Sequence, residues 1–174
     1  KFPVLLELEE KLPVEIQKAL KKKYPIFSIS KTYTLGGDDQ IESRRYLFKS
    51  KLGDWTVSLR PSALSIETRN YTDFSEFIER LKSVLDAIGS FLDTNFYTRI
   101  GLRYINAVPL GDDDVEGWIN PALITALQTK VFGTVSAFQN EVRGQIENGS
   151  YTFKHGFKNG NNSNTITVNF KIEK

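Results

Sequence analysis

The fold of this chain is decided by one stretch of sequence, DFSEFIERLKSVLDAIGSFLD at residues 73–93. Apolar side chains recur there at intervals of three and four residues, which predicts a helix with one wide apolar face. That face consists of Phe74, Phe77, Ile78, Leu81, Val84, Leu85, Ile88 and Leu92. Asp73 is a suitable N-cap, and Glu76 three residues later completes the pattern of a capping box. A face this wide has to be buried, so we expect a sheet to pack against it.

Strand patterns lie on both sides of this helix. Short apolar or alternating segments bounded by turn residues predict strands at residues 4–8, 27–35, 45–51, 55–60, 64–69, 96–108, 135–146, 151–157 and 165–172. Shorter helices are predicted at residues 13–24 and 121–128, and Asn148-Gly149 predicts a hairpin turn. The order is β-α-β-β-β-β-α-β-α-β-β-β. Because strands occur in blocks, the sequence predicts an α+β fold with a mostly antiparallel β-sheet and helices packed on one face.

Length and composition indicate one globular domain. The chain has 174 residues, of which 40% are hydrophobic and 25% are charged, so we expect a single α+β domain over residues 1–174. The net charge of +2 comes from 23 basic and 21 acidic residues, which disfavours a nucleic-acid partner or a polybasic membrane binder. No apolar run is long enough to span a bilayer, and no leader peptide is evident, so no membrane partner is expected.

Several kinds of chemical site are excluded by composition. The absence of Cys rules out disulfides, thiolate metal sites and cysteine nucleophiles, and His155 is the only histidine. Asp112-Asp113-Asp114 with Glu116 lacks the alternation and glycine of a calcium loop, and the lysines at 18–23 fit a solvated helix face. No metal site, no cofactor and no common nucleotide or hydrolase motif is predicted.

Charged residues alternate along three of the predicted strands. If these strands align, the non-helix face carries a charged ladder of Glu67, Arg69, Arg99, Arg103, Glu141 and Arg143. The plainer interpretation is a solvated face with structural ion pairs. The functional interpretation is a polar platform for a small anionic ligand or a partner, because arginine suits carboxylate and phosphate. Pairing with arginine keeps carboxylates ionised, so no catalytic residue is assigned.

His155 supports an alternative hypothesis. It shares strand parity with Tyr151, Phe153 and Phe157, which is typical of a histidine at the edge of an apolar core. The alternative is a pocket between sheet and helices in which His155, Glu67 and Tyr104 converge, as in a small-ligand-binding protein or an enzyme. No nucleophile or carboxylate partner for His155 is identifiable from sequence, so whether the protein is an enzyme stays open, with a non-enzymatic role preferred.

Three stretches carry a family resemblance: LSIETRNYTDF at residues 64–74, TRIGLRYIN at 98–106 and YTFKHGF at 151–157. Together they resemble a sporadically distributed family of prokaryotic proteins of unknown function with ETxxYxxxxxF, RIGLRYxN and HGF elements. The family usually has an aspartate in its last strand, where this chain has TVNFK at 167–171. Its members often run longer, so this chain is compatible with a piece of a longer protein. The resemblance implies a bacterial or archaeal cytoplasmic protein and brings no catalytic residues.

Two functional hypotheses therefore remain. The first is a non-enzymatic binding or protein-interaction module that presents its charged sheet face to another protein or to a second copy of itself. The second is a small-ligand-binding protein or enzyme with a pocket near His155.

Overall fold

A computed structural model describes residues 1–36, 39–92, 97–111, 120–159 and 164–174. These residues form an α+β structure that is mostly strand, with two antiparallel sheets of four strands each. They divide into two compact units, Lys1–Thr98 and Arg99–Lys174. The predicted α+β class with antiparallel strands is consistent with this structure, in which the strands form two sheets. The prediction that residues 1–174 form one domain stays a prediction.

Within its described residues, the first unit contains three helices and the first sheet. Its elements are α1 (Glu7–Glu10), α2 (Val14–Leu20), β1 (Ile26–Gly36), β2 (Asp39–Lys49), β3 (Trp55–Arg60), β4 (Ala63–Thr68) and α3 (Phe74–Leu92). The strands pair in sequence order, β1-β2-β3-β4, and every pair is antiparallel. This is the meander that the run of short strands and tight turns predicts.

The core of the first unit combines one helix face with two central strands. Val84, Ile88 and Leu92 of α3 are buried. They belong to one apolar cluster with Tyr46, Phe48, Trp55, Val57 and Leu59 of β2 and β3. The ring centroids of Trp55 and Phe77 lie 6.0 Å apart, and the Arg80 guanidinium lies 4.4 Å from the Trp55 ring centroid. The indole therefore packs against an aromatic ring and a cation of the same helix.

The predicted helix at residues 73–93 is confirmed as α3. The Glu76 backbone N–H donates to Asp73 Oδ1 over 2.9 Å, so Asp73 caps the helix as expected. The reciprocal half of the capping box does not form, because the Glu76 carboxylate accepts from the Thr72 hydroxyl and from Arg80 Nε at 3.0 Å.

The strand predicted at residues 4–8 is wrong, because this segment leads into α1. The chain is held by separate bonds rather than by a ladder. Leu5 N–H donates to the Pro61 carbonyl over 2.8 Å, and the Tyr46 hydroxyl donates to the Leu8 carbonyl over 2.9 Å. A short apolar run fits a strand and a buried turn equally well, which explains the error.

The second unit contains the second sheet and a short helical segment. Its elements are β5 (Gly101–Gly111), a 3₁₀ turn (Pro121–Leu123), α4 (Thr125–Gln128), a second 3₁₀ turn (Lys130–Phe132), β6 (Ala137–Ile146), β7 (Gly149–Asn159) and β8 (Asn164–Glu173). The strand order is β5-β8-β7-β6, and all neighbours are antiparallel. The helix predicted at residues 121–128 is split in two, although Asn120 Oδ1 accepts from Ala122 N–H over 3.0 Å as a cap.

The hairpin between β6 and β7 turns one residue earlier than predicted. Ile146 and Gly149 are strand partners, so the two turn residues are Glu147 and Asn148. Gly149 belongs to the strand, where a Cβ atom would collide with the Glu173 carbonyl oxygen. Glycine is therefore required at this position by the close approach of two backbones and not by the turn.

None of the helices in these described ranges combines the length and apolar character needed to cross a membrane.

Candidate functional site

The second sheet has one polar and one apolar face. Side chains alternate between faces along each strand, and the pairing register extends this alternation across the sheet. The polar face carries Arg103, Gln139, Glu141, Arg143, Thr152, Lys154, Thr167, Asn169, Lys171 and Glu173. The apolar face carries Leu102, Tyr104, Phe138, Val142, Tyr151, Phe153, His155, Phe157, Ile166, Val168, Phe170 and Ile172.

Three of the predicted ladder residues share this polar face. Arg103 pairs with Lys171, Lys171 with Thr152, and Thr152 with Arg143, so one row of partners crosses all four strands. Glu141 lies in the adjacent row, as the partner of Lys154. Arg99 lies just before β5, and its Nη1 is 3.0 Å from Glu173 Oε1.

Glu67 and Arg69 are not part of this face. Glu67 lies in β4 of the first unit as the partner of Thr56, and Arg69 follows β4 and donates its backbone N–H to the Asp54 carbonyl over 3.0 Å. The predicted six-residue ladder on one sheet is therefore wrong. Alternation within a strand assigns a residue to a face, but it does not reveal which sheet the strand joins.

On the polar face, the described cations outnumber the described carboxylates. Among the side chains that the structure describes, Glu141 contacts Arg143 and Lys154, with 2.7 Å to Lys154 Nζ. Glu173 contacts Arg99 and Lys171, with 2.7 Å to Lys171 Nζ. Two hydrogen bonds lower the pKa of Glu141 below its usual value, and the bond from Lys154 contributes more than the bond from Arg143. Each carboxylate therefore serves two cations, which leaves net positive charge.

Arg103 differs from the other cations of this face. Its Nε–H donates to the Asn169 side-chain oxygen over 3.0 Å. No ion pair joins Arg103 to a carboxylate within the described parts of the chain. The guanidinium is thus anchored by a neutral amide, and no described carboxylate offsets its charge.

Several of these residues are absent from the predicted site: Thr152, Lys154, Asn169, Lys171 and Glu173. A signal for them exists in the sequence, because ITVNFKIE at residues 166–173 alternates strictly between apolar and polar side chains. That alternation places Thr167, Asn169, Lys171 and Glu173 on one face of a central strand.

A cavity of about 560 Å³ lies around Gly156. Its lining consists of Ala137, Phe138, Gln139, Lys154, His155, Gly156, Phe157, Thr167 and Asn169. Gly156 pairs with Gln139 on one side and Thr167 on the other, so polar side chains border the position where a side chain is missing. A Cβ atom at residue 156 would lie 2.6 Å from the Phe138 carbonyl oxygen, so only glycine fits there. Volume of this size is typical of ligand-binding clefts.

His155 is buried on the apolar face, with 2% of its surface exposed. Its ring centroid lies 5.4 Å from that of Phe153 and 5.7 Å from that of Phe138. Within the described residues, neither Nδ1 nor Nε2 has a hydrogen-bond partner. Burial lowers the pKa of His155 below its usual value, so the imidazole is neutral near pH 7.

The predicted convergence of His155, Glu67 and Tyr104 is not found around this cavity. His155 belongs to its lining, whereas Tyr104 does not, and Glu67 is a residue of the first unit. Tyr104 shares the apolar face with His155, but it lies on the edge strand β5, two strands away from β7. Alternation along a strand shows which face a residue lies on, but it does not show how far apart two strands lie in the sheet.

The lysine cluster at residues 18–23 has a plainer role. Lys18 Nζ lies 2.7 Å from Glu15 Oε1 of the same helix, and Lys23 Nζ donates to Ser83 Oγ of α3 over 2.6 Å, so part of the lysine cluster makes contacts within the first unit. The acidic stretch at residues 112–116 lies outside the described residues. In the parts that are described, no group of three or more Asp, Glu or His residues is placed to hold a metal ion.

Comparison with known families finds no family model that matches the chain, and comparison with curated proteins finds no match either.

Proposed function

We propose that this protein is a non-enzymatic binding module whose polar face in the second sheet holds an acidic segment of a partner protein. The observation that carries the proposal is the cavity at Gly156, which opens among hydrogen-bond donors on a face with surplus positive charge. Carboxylates are the natural occupants of such a surface, because arginine and lysine both donate charge-assisted hydrogen bonds to them.

The residues around the cavity contribute different contacts to a bound acidic segment. Lys154 lines the cavity and shares the Glu141 carboxylate with Arg143, so an incoming carboxylate can take over Lys154 while Glu141 keeps Arg143. Arg103 reaches the cavity edge through its bond to Asn169. Its Nη groups suit the two-pronged binding of a carboxylate. Gln139 and Thr167 supply neutral donors on either side of Gly156.

The experiment uses fluorescence anisotropy of a fluorescein-labelled polyglutamate peptide titrated with the full chain. We expect binding that weakens as salt is added, because exposed charge pairs are screened. Arg103→Ala and Lys154→Ala should each weaken binding about fivefold, the effect of losing roughly 1 kcal/mol from one partly exposed charge pair. Lys21→Ala is the matched control, because it removes an exposed cation of the first unit.

Three outcomes would contradict the acidic-segment proposal. One is an unchanged anisotropy with polyglutamate at low salt. Another is an equal loss in Arg103→Ala, Lys154→Ala and Lys21→Ala, which would indicate attraction to overall charge. A labelled polylysine peptide should not bind to the face, and its binding with equal affinity would contradict the proposed charge selectivity.

A second candidate function is a small-ligand site, or an enzyme, at His155. The observation that favours it is a buried imidazole that lines a cavity and has two unpartnered nitrogens within the described residues. Because His155 is the only histidine, its ring signals are unique in an NMR spectrum. Titration with citrate, as a small anionic probe, should shift those signals if a ligand reaches the ring. Unchanged signals at saturating citrate would argue against a small-anion site.

The resemblance to a prokaryotic family leads to one further part of the proposal. We take the protein to be a prokaryotic, cytoplasmic member of that family, on the strength of its RIGLRYIN stretch at residues 99–106 and its HGF stretch at 155–157. Localisation of a tagged chain in a bacterial host by cell fractionation tests the cytoplasmic part.

A further inference from the structure

The outer edge of β6 is long and regular. β6 is an edge strand of the second sheet. Its pairing with β7 runs without a register shift from the pair Ala137 and Lys158 to the pair Ile146 and Gly149. Within the described residues no strand pairs with its other side. Every second residue of this ten-residue strand therefore presents N–H and C=O groups that a further strand can bind.

β6 lacks several of the features that protect exposed strand edges, although it carries the charged residues Glu141 and Arg143. Its sequence, AFQNEVRGQI, contains no proline and no lysine, and its register has no bulge. The opposite edge strand, β5, contains Pro109 and a register shift between Pro109 and Gly111. One edge of the sheet is thus blunted and the other is open, which is expected if the open edge has a partner.

The geometry of the hairpin indicates which residues of β6 face outward. A two-residue hairpin loop is flanked by a hydrogen-bonded pair, here Ile146 and Gly149. Hydrogen-bonding direction alternates along a strand, so the even-numbered residues of β6 bond to β7. The odd-numbered residues, Gln139, Glu141, Arg143 and Gln145 among them, direct their backbone groups outward.

The sequence of β6 is complementary to itself in one antiparallel register. With a two-fold axis at Val142, each residue pairs with the one at the same distance on the other side of the axis. The pairs are Glu141 with Arg143, Asn140 with Gly144, Gln139 with Gln145 and Phe138 with Ile146. Both charged residues then face opposite charges, and apolar residues face apolar residues.

Neighbouring registers that preserve hydrogen bonding are worse. An axis at Glu141 or at Arg143 places two like charges directly opposite each other. An axis at Gly144 places Glu141 opposite Glu147, and an axis at Asn140 leaves Glu141 opposite Gln139. The register centred on Val142 is therefore selected by charge alone.

The apolar side chains agree with this register. Val142 is 42% exposed and Ile146 is 38% exposed, although both lie on the apolar face of the sheet. Pairing would cover Val142 with its own copy and Ile146 with Phe138. The Tyr151 ring fills the space that a side chain at residue 144 would take, because a Cβ atom there would meet this ring. The partner's Asn140 would therefore face a tyrosine-covered glycine.

We infer that two copies of this chain form a symmetric dimer in which β6 pairs with β6 and the two second sheets join into one. Because antiparallel edge pairing keeps like faces on the same side, the dimer presents two polar faces, each with a cavity at Gly156, side by side. This pairing uses the strand edge and is independent of the acidic-segment proposal, so either can fail without the other.

The first test is a disulfide across the two-fold axis. The chain contains no cysteine, so Val142→Cys introduces a single thiol in each copy. At a non-hydrogen-bonded antiparallel pair the Cα atoms lie about 4.5 Å apart, within the range of about 4.4–6.8 Å that a disulfide spans. With oxidised glutathione we expect a covalent dimer on a non-reducing gel. Ile105→Cys on edge strand β5 is the matched control, since Ile105 is 56% exposed. This variant should give no covalent dimer on the gel.

The second test reverses the charges and measures the dimer dissociation constant by analytical ultracentrifugation. Glu141→Arg places arginine opposite Arg143 of the other copy, and Arg143→Glu places glutamate opposite Glu141. Each single variant should weaken the dimer about tenfold or more, because two symmetric pairs change from attraction to repulsion. The double variant Glu141→Arg/Arg143→Glu restores opposite charges in both pairs, so we expect it to recover most of the lost affinity.

The outcomes separate clearly. A monomeric native chain at every concentration, together with equal crosslinking of Val142→Cys and Ile105→Cys, would overturn the inference. A dimer that survives both single reversals unchanged would also overturn it, because that dimer would use another surface. Circular dichroism of each variant shows that the fold is intact, and the native chain keeps the test valid if one variant does not fold.

Discussion

At the scale of single residues, His155 is the group whose chemistry the fold changes most clearly. It is enclosed by the rings of Phe138 and Phe153, and no described residue bonds to its nitrogens. A charged imidazolium there would lose water without gaining a partner, which is why burial lowers its pKa.

The lowered pKa predicts how stability depends on pH. The folded state resists protonation of His155, whereas the unfolded chain binds a proton below its usual pKa of about 6.5. The free energy of unfolding should therefore be constant above about pH 6.5 and fall as the pH drops below that value. Urea unfolding at a series of pH values between about 5 and 7.5 measures this, because the ordinary pKa values of Asp and Glu lie lower.

The variant His155→Leu is the control for that measurement. It removes the only imidazole, so stability between about pH 5 and 6.5 should become nearly independent of pH. Direct NMR titration of the native ring should give a pKa below about 6.5. A ring that titrates above that value would show that His155 has a partner that favours its charged form.

At the scale of elements, α3 forms only one of the two hydrogen bonds that its capping-box pattern predicts. Asp73 accepts the Glu76 backbone N–H, as the capping pattern predicts. The Glu76 side chain binds Thr72 and Arg80 instead of reaching back to the cap. Arg80 in turn lies over Trp55, so the first turns of the helix are connected to the core through a cation.

Loss of the cap should destabilise the protein. Asp73→Ala leaves the Glu76 N–H without its acceptor, and we expect the free energy of unfolding to fall by about 1 kcal/mol. Asp73→Asn retains a side-chain oxygen and should cost little. Asp86→Ala, an exposed position in the middle of the same helix, is the matched control for the loss of an acidic residue. Equal effects of Asp73→Ala and Asp86→Ala in urea unfolding would contradict a capping role.

At the scale of the whole molecule, the buried apolar cluster lies within one unit. Its members run from Phe2 to Leu92, and Thr98 N–H donates to the Lys1 carbonyl over 3.0 Å, so both ends of the first unit are joined. The boundary between the two units, which lies between residues 98 and 99, agrees with this distribution of contacts.

The first unit should therefore fold by itself. We expect the fragment Lys1–Thr98 to unfold cooperatively on heating, because it retains its whole core cluster and all four strands of its sheet. Differential scanning calorimetry of the fragment and of the full chain measures this. A fragment without a cooperative transition would support the single-domain prediction, because the first unit would then require residues 99–174.

Much of the local structure could be predicted from the sequence. The helix at residues 74–92, the meander from β1 to β4 and the three final strands follow from periodicity and turn residues, since these are local properties. The segment at residues 4–8 was predicted wrongly, because a short apolar run lacks a distinguishing period. For the candidate site, parity placed Arg103, Glu141 and Arg143 on one face and His155 on the other.

The sequence by itself determined most of the helices and strands, the polar and apolar face of each strand, and the exclusion of cysteine chemistry. The tertiary structure decided which strands share a sheet, and so it separated Glu67 and Arg69 from the other charged residues. It also created the cavity at Gly156 and left the β6 edge open. The physical reason is that alternation and capping act between neighbours in sequence, whereas strand pairing is decided by contacts between distant residues.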